Sequence, residues 1–389
     1  MKLAYVINLR LPTEKAYGHQ ISKMCETFSS LGVEVSLLSP ERINNISANL
    51  FDFYQVKNNF KITIVKGFDF FKARPYLGRW SFYLQGLVFA HRAAKLIADK
   101  STVIYTRNPE VIWLFSRRGF KTVYECHDWF GRNKILSLWF LKNVSKIVTT
   151  NRFIGQKFIE AGVSKNKILV APNGVSLEKF ALNLDPTEAL AKLNLPPDLQ
   201  QQLAGQKILL YTGSFRTMGI EKGVGDILEA LTQISDPEIT FVAVGGNETD
   251  LTYYRNLAME LNLEDKVILV EKQTQESLAL WQQAASVLLM PFPRKAHYEY
   301  FMTPLKMFEY MAARRPIIAS NLPSIKEILT EDNAIFCEPG NTSDLAIKIN
   351  LALNDRELSE RVGNQAWADV QNYTWTKRAE KIINFLNHV

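Results

Sequence analysis

Thr303-Pro304-Leu305-Lys306-Met307-Phe308-Glu309 is the stretch in which residue types and spacing best combine into chemistry. Threonine before proline predicts a helix start, with Thr303 as N-cap and Pro304 in the first helical position. Lys306 then falls in the first turn, where an exposed cation opposes the helix dipole by about 0.3–1 kcal/mol. An anion bound at that N-terminus removes the conflict. Glu309, three residues on, shares the face of Lys306, and its carboxylate has the geometry to accept both hydroxyls of a ribose. The same spacing also describes a surface ion pair, and spacing alone leaves both readings open. A second group is Tyr211-Thr212-Gly213-Ser214-Phe215 followed by Lys222-Gly223, a glycine-bearing strand end with a lysine at the next helix start. A lysine beside a helix N-terminus suits phosphate, the alternative being an ordinary exposed lysine. Arg216 offers a further charge. The third is His127 in Tyr124-Glu125-Cys126-His127-Asp128, at the carboxyl end of an expected strand, with Glu125 and Asp128 to orient it. His19 and His297 are weaker candidates, and Arg294, Lys295 and His297 form a basic loop ahead of the 303–309 stretch.

The elements that must carry these groups alternate. Lys2–Asn8 predicts a strand, Gly18 opens a helix with Ile21, Met24, Cys25, Phe28 and Leu31 at helical spacing, and Val33–Leu38 predicts the next strand. Gly18 reads either as helix punctuation or as a close approach to a ligand. Further strands are expected at 61–65, 102–105, 122–125, 146–150 and 167–170. After the Pro172-Asn173-Gly174 turn, residues 184–205 are polar and hold Pro186, Pro196 and Pro197, which predicts a domain junction. The alternation then restarts, with strands at 208–211, 240–244, 267–270, 287–290 and 316–319. Helices are expected at 223–234, 251–261, 276–283 and 304–313, and an amphipathic helix ends the chain. The expected fold is α/β, with two doubly wound domains. The first spans residues 1–180 and the second 181–373, with the helix from 374 packing back on the first. Ligands of such sheets bind outside the carboxyl ends of the strands, so a cleft between two such domains is the default site.

Pro304-Leu305-Lys306-x-x-Glu309-Tyr310-Met311-Ala312-Ala313, followed by Pro316-Ile317-Ile318-Ala319-Ser320, resembles the signature of the large retaining glycosyltransferase family four, the group 1 glycosyl transferases. Ile168 to Val175 resembles the end of that family's first domain, and the likeness extends over nearly the whole chain. It implies a GT-B fold, two Rossmann-like domains facing each other. It further implies a nucleotide-sugar donor, UDP- or GDP-linked, and front-side transfer with retained configuration. By resemblance Glu309 binds the donor ribose, Lys222 neutralises the pyrophosphate, Gly18 lies close to phosphates and acceptor, and His127 hydrogen-bonds the donor sugar. His127, Lys222 and Glu309 are thereby the candidate catalytic residues. The donor-binding set is Gly18, Gly213, Ser214, Arg216, Lys222, Glu299, Thr303, Pro304, Leu305, Lys306 and Glu309. The sequence departs from the family pattern at Phe301, where a first glutamate contacts the sugar; Glu299 is near but out of register. Ser214 stands where an arginine is common.

Composition fits an enzyme of this kind. The 389 residues are 47% hydrophobic and 22% charged, which suits two globular cores and excludes a disordered chain. Three separated cysteines without metal-ligand spacing argue for a reducing compartment, and no spaced acidic pair points to a metal, so metal independence is expected. The most apolar stretch, 82–98, is broken by His91, Arg92 and Lys95, which predicts a cytoplasmic protein. Residues 1–180 hold 27 Lys and Arg against 12 Asp and Glu, and residues 181–389 hold 19 against 27, making the net +7. A basic first half suggests an anionic partner such as membrane phospholipid or a lipid-linked acceptor, with the mixed aromatic and basic segment 68–92 as one contact. Nucleic acid is not expected, as no binding motif accompanies the charge. Two rivals stay open: a nucleotide-sugar epimerase of the same fold, and a weakly catalytic sugar- or membrane-binding scaffold.

Overall fold

The computed structural model describes residues 1–67, 80–131, 134–217 and 219–387, with side chains for all of these except Trp80 and Phe82. The aromatic and basic residues 68–79, including Lys72, Arg74 and Arg79, lie outside the described residues. The chain forms two compact units, Met1–Pro172 with Trp375–Val389, and Asn173–Thr374.

Unit 1 is built on a seven-stranded sheet of β1 (Lys2–Val6), β2 (Glu34–Pro40), β3 (Lys61–Val65), β4 (Val103–Thr106), β5 (Thr122–Cys126), β6 (Lys146–Thr149) and β7 (Ile168–Val170). The spatial order is β3-β2-β1-β4-β5-β6-β7, and every pairing is parallel. Short, mostly apolar runs such as Val103–Thr106, buried at every position, suit a sheet covered on both faces. The order reverses between β1 and β4, so the carboxyl ends of those strands flank the expected ligand crevice. The helix Ala16–Ser30 follows β1. It begins ahead of Gly18, which lies inside its first turn; a Cβ there would stand 2.0 Å from the Tyr54 hydroxyl, so close packing requires the glycine. The C-terminal helix Trp375–Asn387 belongs to this unit and packs on the 16–30 helix. Its buried stripe is Trp375, Arg378, Ala379, Ile382 and Leu386.

Unit 2 repeats the plan. Its six-stranded sheet holds β8 (Lys207–Thr212), β11 (Ile239–Gly246), β12 (Val267–Glu271), β13 (Val287–Met290), β14 (Ile317–Ser320) and β15 (Ile335–Cys337), in the order β12-β11-β8-β13-β14-β15. The short ribbon of β9 (Arg216–Thr217) and β10 (Ile220–Glu221) rises after β8. Here the reversal lies between β8 and β13. The polar 184–205 segment is not a junction. It forms the helices Pro186–Ala191 and Pro197–Leu203, whose Ala189, Leu190 and Leu203 join the core of this unit. Pro186 and Pro197 are helix-starting residues here rather than breakers. The division between units falls earlier than 180/181, because the Asn173 amide donates to the Thr303 carbonyl at 2.7 Å and Val175 N–H donates to the Tyr373 carbonyl at 2.9 Å. No helix among the described residues is long and apolar enough to cross a membrane.

Candidate functional site

At the switch point of unit 2 the chain leaves β8 through Thr212-Gly213-Ser214. Gly213 has φ +100°, a conformation that favours glycine, and a Cβ on it would meet the Lys306 side chain at 3.4 Å. Gly223 caps the helix Val224–Leu231 with φ +94°, and a Cβ there would lie 2.0 Å from the Pro291 carbonyl oxygen just beyond β13. These close approaches bring the ends of β8 and β13 together with two lysines. Lys222 donates to the Ser214 hydroxyl at 2.9 Å, and burial lowers its ammonium to about 8. The Lys306 ammonium lies 3.4 Å from the centre of the Tyr211 ring and 5.6 Å from that of Phe292. It is buried and has no hydrogen-bond acceptor among the described residues. Contact with ring faces stabilises a desolvated cation by about 2 kcal/mol or more. Burial, reinforced by the charge of Lys222, still holds Lys306 well below the ordinary lysine range, against the pull of Glu309. Glu309 is pushed up to about 7 by burial, against Gln282 and Lys306, which favour its ionised form. Two amines that burial disfavours as cations, on a glycine-lined strand end, are what an anionic ligand would re-ionise.

The helix carrying Lys306 and Glu309 is Leu305–Ala312, with Pro304 as its N-cap at ψ 139°. Thr303 is therefore not the cap, and Pro304 precedes the first helical residue. Extended Pro304 cannot begin the turn, and the Thr303 carbonyl is taken by Asn173. Tyr310 fixes the helix against the sheet: its hydroxyl accepts from Thr212 N–H at 2.8 Å and from the Thr212 hydroxyl at 3.2 Å. Lys306 and Glu309 are thus held against the Gly213 turn. Other expected members lie elsewhere in the unit. Arg216 stacks on Tyr253, its guanidinium carbon 3.9 Å from the ring centre, beside the start of the Glu248–Glu260 helix. Glu299 stands in a π-helical turn, His297–Phe301, and pairs with Arg294 at 3.5 Å. Arg294 of the expected basic loop also reaches Glu338, at 3.6 Å. Among the described residues, no group of three or more His, Cys, Asp or Glu is placed to hold a metal ion.

In unit 1, His127 follows β5 at the sheet's carboxyl end. Its Nε2 lies 3.4 Å from a Glu125 carboxylate oxygen and 3.3 Å from the Gln20 amide nitrogen. Burial, then the charge of Arg107, lowers it to about 4, which keeps the imidazole neutral near pH 7 although Glu125 pulls the other way. Glu125 is the centre of a buried network whose members no local sequence pattern joins. Arg107, just past β4, donates Nε–H to one carboxylate oxygen at 2.9 Å. Arg378 of the C-terminal helix donates to the other at 2.7 Å and to the Pro172 carbonyl at 2.9 Å. Tyr5 donates to Glu125, and Arg107 donates to Gln20. Burial alone would raise Glu125, but the two arginines outweigh it and hold the carboxyl well below its usual range. Two signals could have exposed the network. Arg107, like His127, is a polar residue at a strand's carboxyl end, and Arg378 interrupts an otherwise apolar helical stripe.

Solved structures share this architecture. HepE of Anabaena in complex with UDP and glucose matches with a TM-score of 0.74 at 15% identity over 99% of both chains. Sucrose-phosphate synthase from Thermosynechococcus elongatus matches with a TM-score of 0.74 at 20% identity over 99% of this chain and 98% of its own. Likeness at that identity is one of fold, the GT-B fold. In sequence, residues 199–368 match Glycosyl transferases group 1 and residues 18–179 match Glycosyltransferase Family 4. The chain belongs to the group 1 glycosyl transferases. A D-inositol 3-phosphate glycosyltransferase of Streptomyces bingchenggensis is 27% identical over 56% of this chain and 47% of its own length. A sulfoquinovosyl transferase of Arabidopsis thaliana is 22% identical over 59% and 42%. The chain spans about half the length of the curated relatives it matches.

Proposed function

We propose that this protein moves a sugar from a UDP- or GDP-linked donor to an acceptor hydroxyl, with retained configuration and without a metal, in polysaccharide or glycolipid assembly. The observation that carries the reading is the buried Lys306 ammonium, without a hydrogen-bond acceptor among the described residues, beside Lys222 and at the N-terminus of the helix that bears Glu309. A diphosphate there gains two cations and the free N–H groups of the first helical turn. Those fixed charges stabilise the diphosphate as the bond to the sugar breaks, which is where charge develops in this reaction. Glu309 accepts the ribose hydroxyls, and a neutral His127 hydrogen-bonds a sugar hydroxyl. The family of the chain supports this assignment, as do the UDP and glucose named with the Anabaena structure and the transferases among the relatives.

Calorimetric titration with UDP, GDP, ADP and their sugar conjugates tests the donor site in wild type and Glu309→Ala. One diphosphate is expected to bind, more weakly in the variant. Absence of binding by all of them overturns the reading. Turnover without an acceptor would replace transfer by epimerisation.

A further inference from the structure

The helix Lys134–Phe140 in unit 1 turns apolar side chains to solvent. Ile135 is 86% exposed, Trp139 49% and Leu136 36%, and the spacing i, i+1, i+4 puts them on one side of the helix. Only Phe140 of this helix is buried, its ring edge-on to Trp113 of the helix Pro109–Arg117, which Trp139 also meets at a tilt. This is the densest group of exposed large apolar residues among those described. Cations surround it. Lys134 lies 5.7 Å from the Trp129 ring centre, and Arg117 covers the Trp113 ring at 4.5 Å. Lys142 and Arg117 are exposed. Of the acidic residues described nearby, Asp128 accepts from the Trp129 amide, Glu160 is paired with Lys157, and Glu125 is buried.

We propose that this face rests on an anionic lipid bilayer surface, with Ile135, Leu136 and Trp139 entering the headgroup region and Lys134, Lys142 and Arg117 meeting lipid phosphates. Exposed tryptophan and aliphatic groups beside lysine and arginine match the chemistry of that interface, where each basic residue contributes about fivefold in affinity. A soluble partner protein explains the apolar side chains but not the concentration of cations around them. The surface also lies close in sequence to His127: the helix starts a few residues after the carboxyl end of β5. Docking there brings a lipid-anchored acceptor toward the carboxyl end of the strand that the histidine follows. The proposal is independent of the donor assignment, because its test reads vesicle binding and not sugar transfer.

The experiment is co-sedimentation of the full chain with phosphatidylcholine vesicles, with and without 30% phosphatidylglycerol, at about 50 mM and 300 mM salt. Three forms are compared: wild type, the triple variant Ile135→Ser/Leu136→Ser/Trp139→Ser, and Lys134→Glu/Lys142→Glu. All these side chains are exposed, so folding should be kept; nucleoside diphosphate binding and circular dichroism check that it is. Wild type is expected to bind the anionic vesicles and to weaken at high salt, with both variants at least tenfold weaker. Three results each overturn the proposal: no wild-type binding, unchanged binding by the triple variant, or a dimer that the triple variant dissociates while vesicle binding persists.

Discussion

Replacing Arg378 by methionine tests the buried network of unit 1. Arg378 is 4% exposed, and its guanidinium serves Glu125 at 2.7 Å and the Pro172 carbonyl at 2.9 Å. Methionine keeps much of the apolar stem and removes the charge. Glu125 then keeps Arg107 and Tyr5 but loses one of two arginines. Stripping a partner from a buried ion pair costs about 3–5 kcal/mol, and the remaining arginine places this variant near the low end, at about 3 kcal/mol. For a unit of this size each kcal/mol moves the midpoint by about 2–4 °C, so a fall of roughly 6–12 °C is expected by calorimetry at pH 7. The pH dependence supplies a second readout. Because Glu125 is held below its unfolded value, its stabilisation is complete above about pH 4.3 and is lost as pH falls through the lower folded value. The variant has less of this stabilisation to lose, so the two melting curves should converge as pH falls below about 4.3. A midpoint within 2 °C of wild type, or an offset that persists undiminished in acid, would refute the ionic account.

Three further outcomes are expected. Diphosphate affinity measured against pH should be bell-shaped, rising as Glu309 ionises near 7 and falling as Lys222 loses its proton near 8; a monotonic profile contradicts the coupling of these groups. Lys222→Ala and Lys306→Met should each weaken the diphosphate by about tenfold to 150-fold, the worth of one charge-assisted contact of ~1.5–3 kcal/mol. Lys306→Met also deletes a buried amine that has no acceptor among the described residues, so the unliganded protein should melt no lower than wild type, and a large drop would point to a structural role. Gly223→Ala forces a Cβ against the Pro291 carbonyl at positive φ, and should cost unit 2 about 2 kcal/mol or more in urea unfolding; wild-type stability would contradict that contact.

Most of the two sheets was legible because their strands are short apolar runs between turn residues. Val103–Thr106 and Val287–Met290 need no tertiary information to be read as buried strands. Ile335–Cys337 was missed because three residues carry no period. The 186–203 helices were missed because proline reads equally as a breaker and as a helix start. In the site, helix starts single out Lys222 and Lys306, but the roles expected of Lys222 and Glu309 rest on the family resemblance, because position alone also fits an exposed lysine and a surface ion pair. Their burial, and hence their shifted protonation, depends on Tyr211, Phe292 and Gln282, which only the folded sheet brings near. Arg378 and Glu125 are 253 residues apart, and no local pattern joins them.

That separation has a consequence for biosynthesis. Unit 1 needs the helix at 375–387, yet all of unit 2 is translated before it. At roughly 5–20 residues per second, the Glu125 carboxylate waits on the order of 13–50 s on the ribosome before Arg378 is made. During that interval it has one arginine instead of two, and the groove on the 16–30 helix awaits Trp375 and Ile382. The nascent first unit therefore passes through a period of incomplete burial while the second is free to finish folding. Slow codons inside the second unit would lengthen the period in which a chaperone has reason to hold the first.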